Sequence, residues 1–228
     1  MASFYRDPQQ VYRVKELERL EWLEHGFGTR GSGGWVAGEL VTLRQIHSDI
    51  CVCAGASTGS MPVGDALVSN TPGRFLGIRT ADCLPILMVD ERRRAIAAVH
   101  AGWRGTARRI APKVLETLAA RFASRPEDLL VAIGPGICGR CYTVGPEVAR
   151  QFHPWFPELA LVMGQTNLDL AEANRRQIVE AGVPAGRIYT AGHCSFCQPE
   201  DFFSYRRDPH TPGRMLSAIG FAGDWLST

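Results

Sequence analysis

Charge of one sign is the first thing this chain lacks. Its 228 residues carry 25 Lys and Arg against 23 Asp and Glu, a net charge of +2. That leaves no cationic excess to hold a polyanion, so neither a nucleic-acid partner nor a membrane surface is expected. No apolar run approaches the roughly 18 residues of a membrane span. The opening residues, MASFYRDPQQ, lack a basic start followed by an apolar core, and cytoplasmic residence is the expectation. Cysteines number seven, an odd count that argues against a disulfide scaffold. In a reducing compartment they read as metal ligands, reactive thiols or small core residues. Low-complexity tracts, repeats and long linkers are missing too.

What is there is ordinary globular material. Hydrophobic residues make up 45% and charged residues 21%, and the length fits one large domain or two small ones. Short apolar or alternating runs predict strands at Glu39–Leu43, Asp49–Cys53, Phe75–Thr80, Pro85–Val89, Ala95–His100 and Leu129–Ile133. The charged turn Glu91–Arg94 joins Leu84–Val89 and Ala95–His100 as a hairpin. Helices are expected over Ala107–Ala123, with Pro112 in its first turns, and over Leu168–Ala181, with Asn167 as candidate N-cap. The glycine-rich stretch Thr29–Gly38 reads as a surface loop. Strand clusters followed by helices predict an α/β chain of mixed α+β character, a mixed sheet with helices packed on it.

Polar groups terminate three of these strands. TLRQIHSD (Thr42–Asp49) supplies Arg44 and His47, GIRTADCLPILMVD (Gly77–Asp90) supplies Asp82 and Cys83, and AVHAGWRGTARR (Ala98–Arg109) supplies His100, Trp103 and Arg104. If the strands are neighbours, their ends meet at one rim of the sheet, where sites commonly sit. Two imidazoles and a thiolate suit zinc and leave a fourth position open for water or substrate. The spacing matches no local metal motif, and three ordinary residues, a buried Cys and two hydrogen-bonded His, are the competing reading. Gly102 and Gly105 allow close backbone approach, and Arg104 beside a helix start suits an oxyanion such as phosphate. A glycine turn with a solvated arginine fits that stretch equally well. Asp82 is read as orienting a ligand, shuttling a proton or capping a turn; Trp103 stacks a base or packs in the core.

Two CxxC pairs, Cys138/Cys141 and Cys194/Cys197, compete for a metal. With 52 residues between them, they exceed the usual spacing of roughly 15–20. A closed zinc site and a redox dithiol both rank below incidental cysteines near a loop-rich rim. FFSYRRD (Phe202–Asp208) either reaches the ligand through Tyr205, Arg206 or Arg207, or forms an edge strand.

LRQIHSD, TADCLPIL, AAVHAGWRGT, AIGPGICGRCYTVGPEV, LDLAEANRRQIVEAGV and FFSYRRD…GRM occur in the order seen in the laccase-domain polyphenol oxidase family, commonly called purine nucleoside phosphorylases. The resemblance runs from about Gly26 to Ile219. It implies one domain over residues 1–228, of three-layer α/β/α type with a mixed sheet, grouped with cytotoxic-factor-like cysteine hydrolases. Carried over position by position, it makes His47, Cys83 and His100 the metal ligands and places Arg44 near the active site; joined to the reading of the residues above, it leads to Arg44, Cys83 and His100 as the expected catalytic residues and Arg44, Asp82 and Arg104 as the expected substrate-binding ones. The implied cofactor is zinc, with copper as alternative, and the substrates are purine nucleosides (adenosine, inosine, guanosine, methylthioadenosine) and inorganic phosphate, with adenosine deamination as a companion reaction. A monomer or homodimer is expected. The sequence departs from the family in the shortened segment before Arg44, in Cys138 where glycine is typical, and in Thr143 where glutamate is typical.

Three rivals stand beside this reading. A copper-dependent phenol oxidase fits the His₂Cys set, although six histidines in all are too few for a multinuclear cluster. A metal-free hydrolase, including one editing peptidoglycan precursors, would use Cys83 as nucleophile with His100 or His47 as base. A non-catalytic adaptor would keep the fold for partner binding alone.

Overall fold

The computed structural model describes residues 3–55, 61–210 and 213–222. Fourteen strands are present among them: β1 Phe4–Arg6, β2 Val11–Val14, β3 Leu23–Gly28, β4 Glu39–Val41, β5 Cys51–Cys53, β6 Ala66–Ser69, β7 Arg74–Thr80, β8 Leu84–Asp90, β9 Ala95–Ala101, β10 Leu129–Ile133, β11 Thr143–Val144, β12 Thr166–Asn167, β13 Ile188–Thr190 and β14 Met215–Phe221. The α-helices are α1 Lys15–Glu18, α2 Trp103–Ala107, α3 Ile110–Phe122, α4 Pro146–Ala149 and α5 Leu170–Glu180. Two six-stranded mixed sheets carry the fold, ordered β1-β2-β3-β14-β7-β4 and β13-β10-β8-β9-β6-β5, with β11 and β12 as a separate pair.

The second sheet is buried on both faces, which is why β8 (LPILMVD) and β9 (AIAAVHA) read as continuous apolar runs rather than alternating ones. Alternation instead decides which layer each residue meets. Ile86, Met88, Ala97, Val99, Val131 and Ile133 face Ile110, Val114 and Leu118 of α3 and Ala173 and Ile178 of α5. Leu87, Val89, Ile96, Ala98, Leu130 and Ala132 face Phe27, Leu76, Ile78 and Ile219 of the other sheet. Each such fully buried large side chain contributes about 1.5–3 kcal/mol of transfer free energy. The three layers are therefore helix, sheet and sheet. This corrects the expected α/β/α order: the outer layer is the other sheet, in which the expected strands β4 and β7 are joined by β1–β3 and β14, whose pattern of mixed aromatics, glycine and short apolar runs gave no strand signal.

The expected hairpin is present, with β8 and β9 antiparallel and Pro85 opposite His100. Asp90 Oδ1 accepts the N–H groups of Arg92 and Arg93 at 2.8 and 2.9 Å and closes the turn. The single helix expected over Ala107–Ala123 is two. Arg109 sits at φ 63° between α2 and α3, and Pro112, which has no N–H to give a preceding carbonyl, falls within the first turn of the second helix. Helix α5 starts later than expected. Asp169, not Asn167, caps it by accepting the Glu172 N–H at 3.0 Å, and Asn167 lies in β12 against Thr143. Phe202–Asp208 forms no strand. Thr29–Gly38 is a loop as read, although it buries Trp35 against Phe75 and Val11.

Candidate metal centre

Register alone explains how residues far apart in sequence meet. In the β8–β9 hairpin Leu84 pairs with Ala101 and Pro85 with His100, so Cys83, just ahead of β8, sits beside the end of β9. Strand β6 runs antiparallel to β9 with Ala66 opposite Val99. Continuing that ladder by one residue places Asp65 opposite His100, and the His100 N–H donates to the Asp65 carbonyl at 2.7 Å. Donor atoms of His47, Cys83 and His100 all lie within 4.8 Å of one another. The two imidazoles meet edge to face, with centroids 4.9 Å apart.

Asp65, which the sequence reading missed, organises this cluster. Its side chain is fully buried, and Oδ1 lies 2.7 Å from His100 Nδ1. The same carboxylate accepts the backbone N–H groups of Ile46, His47 and Ser48 and the Ser48 hydroxyl, at 2.6–3.2 Å. An ionised carboxylate only accepts, so His100 Nδ1 carries the proton and Nε2 is left toward Cys83. Burial pushes the Asp65 carboxyl up, but the bonds from His100 and Ser48 outweigh it and bring it down to about 2. Burial likewise drives the Cys83 thiol up, and hydrogen bonds and charge from His100 and His47 bring it down to about 6. For His100, burial acts downward, while Asp65 and Cys83 raise it to about 9. The available signal for Asp65 was a charged residue immediately ahead of the apolar run ALVS.

Glycine completes the arrangement. A Cβ at Gly102 would lie 2.9 Å from Cys83 Sγ and 3.3 Å from His47 Cδ2, and one at Gly105 would lie 2.9 Å from the Ser48 carbonyl oxygen. The corner that puzzles a reader of HAGWRG is therefore where backbone replaces side chain against the donor trio.

The trio opens on a cavity of about 630 Å³ lined by Leu43, Gln45 and Tyr205 among others, with Trp103 and Tyr142 as further aromatic walls. Its cations are Arg79, Arg104, Arg206 and Arg214. Arg104 stacks on Trp103 at 4.4 Å, and Arg206 on Tyr142 at 5.0 Å. Arg44, expected here, is exposed and absent from the lining; its flanking residues Leu43 and Gln45 face the cavity instead, as alternation in an extended segment requires. Asp82 lines the cavity, but both of its oxygens are engaged: the Ser195 hydroxyl donates to Oδ1 at 2.7 Å and the Arg206 N–H to Oδ2 at 2.6 Å. It anchors the loop that carries Tyr205 and Arg206, the turn-holding reading of this residue. Helix α2, expected as an anion-binding helix start, is only five residues long, so the arginine side chains are the principal cations.

The cysteine pairs, expected to be incidental, are not scattered. Strands β10 and β13 run parallel with Val131 opposite Ile188, so the segments leaving them emerge side by side, and the four sulfurs of Cys138, Cys141, Cys194 and Cys197 lie within 4.8 Å of one another.

A family model described as multi-copper polyphenol oxidoreductase laccase matches residues 31–222. The chain belongs to that family. Laccase-family relatives nearby in sequence bear other names. A purine nucleoside phosphorylase of Deinococcus radiodurans is 43% identical over 192 residues, covering 82% of this chain and 72% of that protein. The adenosine deaminase RL5 of an unknown prokaryotic organism is 40% identical over 161 residues, covering 68% of this chain and 61% of that protein. In three dimensions the fold matches YlmD from Geobacillus stearothermophilus with a TM-score of 0.85 at 28% identity, covering 98% of this chain and all of the other. Mixed α+β architecture with mixed sheets is thus a property this laccase-family chain shares with solved members. No helix among the described residues is long and apolar enough to cross a membrane.

Proposed function

We propose that this protein is a zinc-dependent purine nucleoside phosphorylase, acting on adenosine, inosine, guanosine and methylthioadenosine, with a companion adenosine deaminase activity. The observation that carries this reading is the juxtaposition of the His47–Cys83–His100 trio with an arginine- and aromatic-lined cavity of about 630 Å³, within the usual range for small-molecule sites. The donor set passes a chemical test for the metal: two imidazoles and a thiolate already lowered toward its ionised form, with a second-layer carboxylate on one imidazole. His47, Cys83 and His100 would hold the zinc, which when bound supplies a Lewis acid at the cavity floor.

The remaining residues act by position and field. Arg104 and Arg206, with Arg79 and Arg214 in the same lining, provide cationic donors for inorganic phosphate. In phosphorolysis a phosphate oxygen forms a bond to the anomeric carbon as the glycosidic bond to the purine nitrogen breaks, its electron pair leaving with the base. Positive charge grows on the ribose, and a held phosphate dianion beside it lowers that cost. Trp103, Tyr142 and Tyr205 offer faces for the purine. Arg44 is kept out of this assignment because of its placement. The core shared by the two sheets supports reading residues 1–228 as one domain; the cytotoxic-factor-like hydrolase type is what the family resemblance implies for it. Its place of work would be the cytoplasm, as monomer or homodimer.

The test is a chromatographic assay of inosine and adenosine with and without phosphate, paired with metal analysis. Phosphate-dependent base release that disappears in Cys83→Ala supports the reading; undiminished release in that variant sinks it. A second reading has one observation in its favour. Without metal, the lowered Cys83 thiol and raised His100 form a thiolate–imidazolium pair, the arrangement of a cysteine hydrolase that would edit peptidoglycan precursors. Turnover by zinc-free protein, abolished on alkylation of Cys83, would select it. Copper in the same donors would give the phenol oxidase, recognised by an intense thiolate–copper absorption band.

A further inference from the structure

We propose that Cys138, Cys141, Cys194 and Cys197 form a second, closed zinc site that ties together the two loops framing the cavity. Four sulfurs around one zinc at about 2.3 Å stand about 3.8 Å apart along the edges of a tetrahedron. Here all four sulfurs lie within 4.8 Å of one another, and Cys141 and Cys197 approach to 3.3 Å. Zinc therefore needs only small side-chain shifts to seat.

The local backbone is shaped for the same end. Each pair sits on a tight turn: the N–H groups of Cys141 and Tyr142 both donate to the Cys138 carbonyl at 3.0 Å, and the Gln198 N–H donates to the Cys194 carbonyl at 3.1 Å. The turns are joined by a parallel bridge between Gly136 and Cys194. The Cys138 N–H donates to Cys194 Sγ at 3.3 Å, the kind of bond that stabilises a thiolate. Arg207 clasps the second turn, its guanidinium donating to the carbonyls of Ser195, Phe196 and Phe202 at 2.8–3.0 Å. Loading releases the thiol protons to solvent, so affinity rises with pH. All four ligand positions are filled by protein, which makes this a structural site rather than a catalytic one.

Its position gives it a purpose. Tyr142, one residue past Cys141, lines the cavity, and Ser195, one residue past Cys194, donates to Asp82, which in turn holds Arg206. The zinc would fix these two walls relative to each other while touching no substrate.

The decisive measurement uses His47→Ala/Cys83→Ser/His100→Ala, which removes the cavity trio. Purified under reducing conditions with zinc supplied, it is expected to retain about one zinc per chain with four sulfur neighbours near 2.3 Å in X-ray absorption. Adding Cys141→Ser and Cys197→Ser removes that zinc. Should either variant fail to fold, the wild-type protein carries the test: about two metal ions per chain, one with all-sulfur ligation in the spectrum of the cobalt-substituted form. No zinc in the triple variant, nitrogen or oxygen among its ligands, iron in place of zinc, or a Cys141–Cys197 disulfide found by mass spectrometry overturns the proposal.

Discussion

Asp65 Oδ1 and His100 Nδ1 are 2.7 Å apart, and both side chains are buried, the histidine 4% exposed and the aspartate 0%. The same carboxylate also receives the backbone of the loop that bears His47, so one buried group sets two donors of the trio. Replacing it by Asp65→Asn keeps the shape but loses the charge and sets an N–H₂ against donors on either side, the protonated His100 nitrogen and His47 N–H or the Ile46 and Ser48 N–H groups. Zinc affinity is expected to fall about 10–100-fold, read by competition with a chromogenic chelator. Wild-type affinity in this variant would remove Asp65 from the site.

The metal-free protein offers a pH test. An acid whose pKa is lowered ionises earlier as pH rises, so Cys83 is thiolate above about 6 rather than above its ordinary 9.0. Its alkylation by iodoacetamide, followed by peptide mass spectrometry, should reach half its maximal rate near pH 6, and zinc should suppress it. In Asp65→Asn, His100 loses a partner that raises it, so the midpoint should move up. A midpoint near 9 in the unsubstituted protein contradicts the hydrogen bonding described.

Gly102→Ala inserts a methyl group 2.9 Å from Cys83 Sγ. The sulfur must shift, and bound metal is expected to be lost while the far-UV spectrum stays close to that of the parent. Gly105→Ala meets the Ser48 carbonyl oxygen, a backbone atom that yields less readily, so that substitution should lower the thermal midpoint as well.

Two arginines separate the cavity wall from its neighbourhood. Arg104→Ala deletes a charged donor facing the cavity, and kcat/KM for phosphate should drop about 10–100-fold, the equivalent of a charged hydrogen bond of about 1.5–3 kcal/mol. Arg44→Ala, off the wall, should leave it within about twofold. The reverse ranking, measured by varying phosphate at saturating inosine, would restore Arg44 to the site.

Helix α5 is tested through Asn174, which is fully buried and whose Nδ2 donates to Thr106 Oγ1 at 3.0 Å and to the Leu170 carbonyl at 2.8 Å. It joins Gln177 in fastening α2, the turn that carries Trp103 and Arg104. Asn174→Ala strands buried partners and should cost about 1–3 kcal/mol, seen as a lower denaturation midpoint.

The parts of this molecule that were legible in the sequence are those governed by local pattern. Strand Leu129–Ile133, the β8–β9 hairpin and the bodies of α3 and α5 follow from apolar runs, a charged turn and helical periodicity, although the cap of α5 and the break before α3 do not. The donor trio was visible as residue types at strand ends, and the family resemblance supplied its grouping. Features set by pairing between remote strands were not legible. The 52-residue gap between the CxxC pairs argued against a cluster because nothing local announces that β10 and β13 lie side by side. Asp65 escaped notice because an acidic residue ahead of a strand is ordinary until the strand opposite it is known to end in His100. Arg44 illustrates the same limit: a motif names a position, whereas the direction of an extended chain decides which neighbours, here Leu43 and Gln45, line the cavity.

Two of the three candidate donors lie at the β8–β9 hairpin, His100 in β9 and Cys83 just ahead of β8, whereas the exposed His47, with φ 58°, lies on the segment between β4 and β5. The two sides of the set nevertheless hang on one atom, because Asp65 Oδ1 takes both the His47 N–H and the His100 ring. A change to the segment between Arg44 and Asp49 that broke its bonds to that carboxylate would therefore disturb the far side of the set as well.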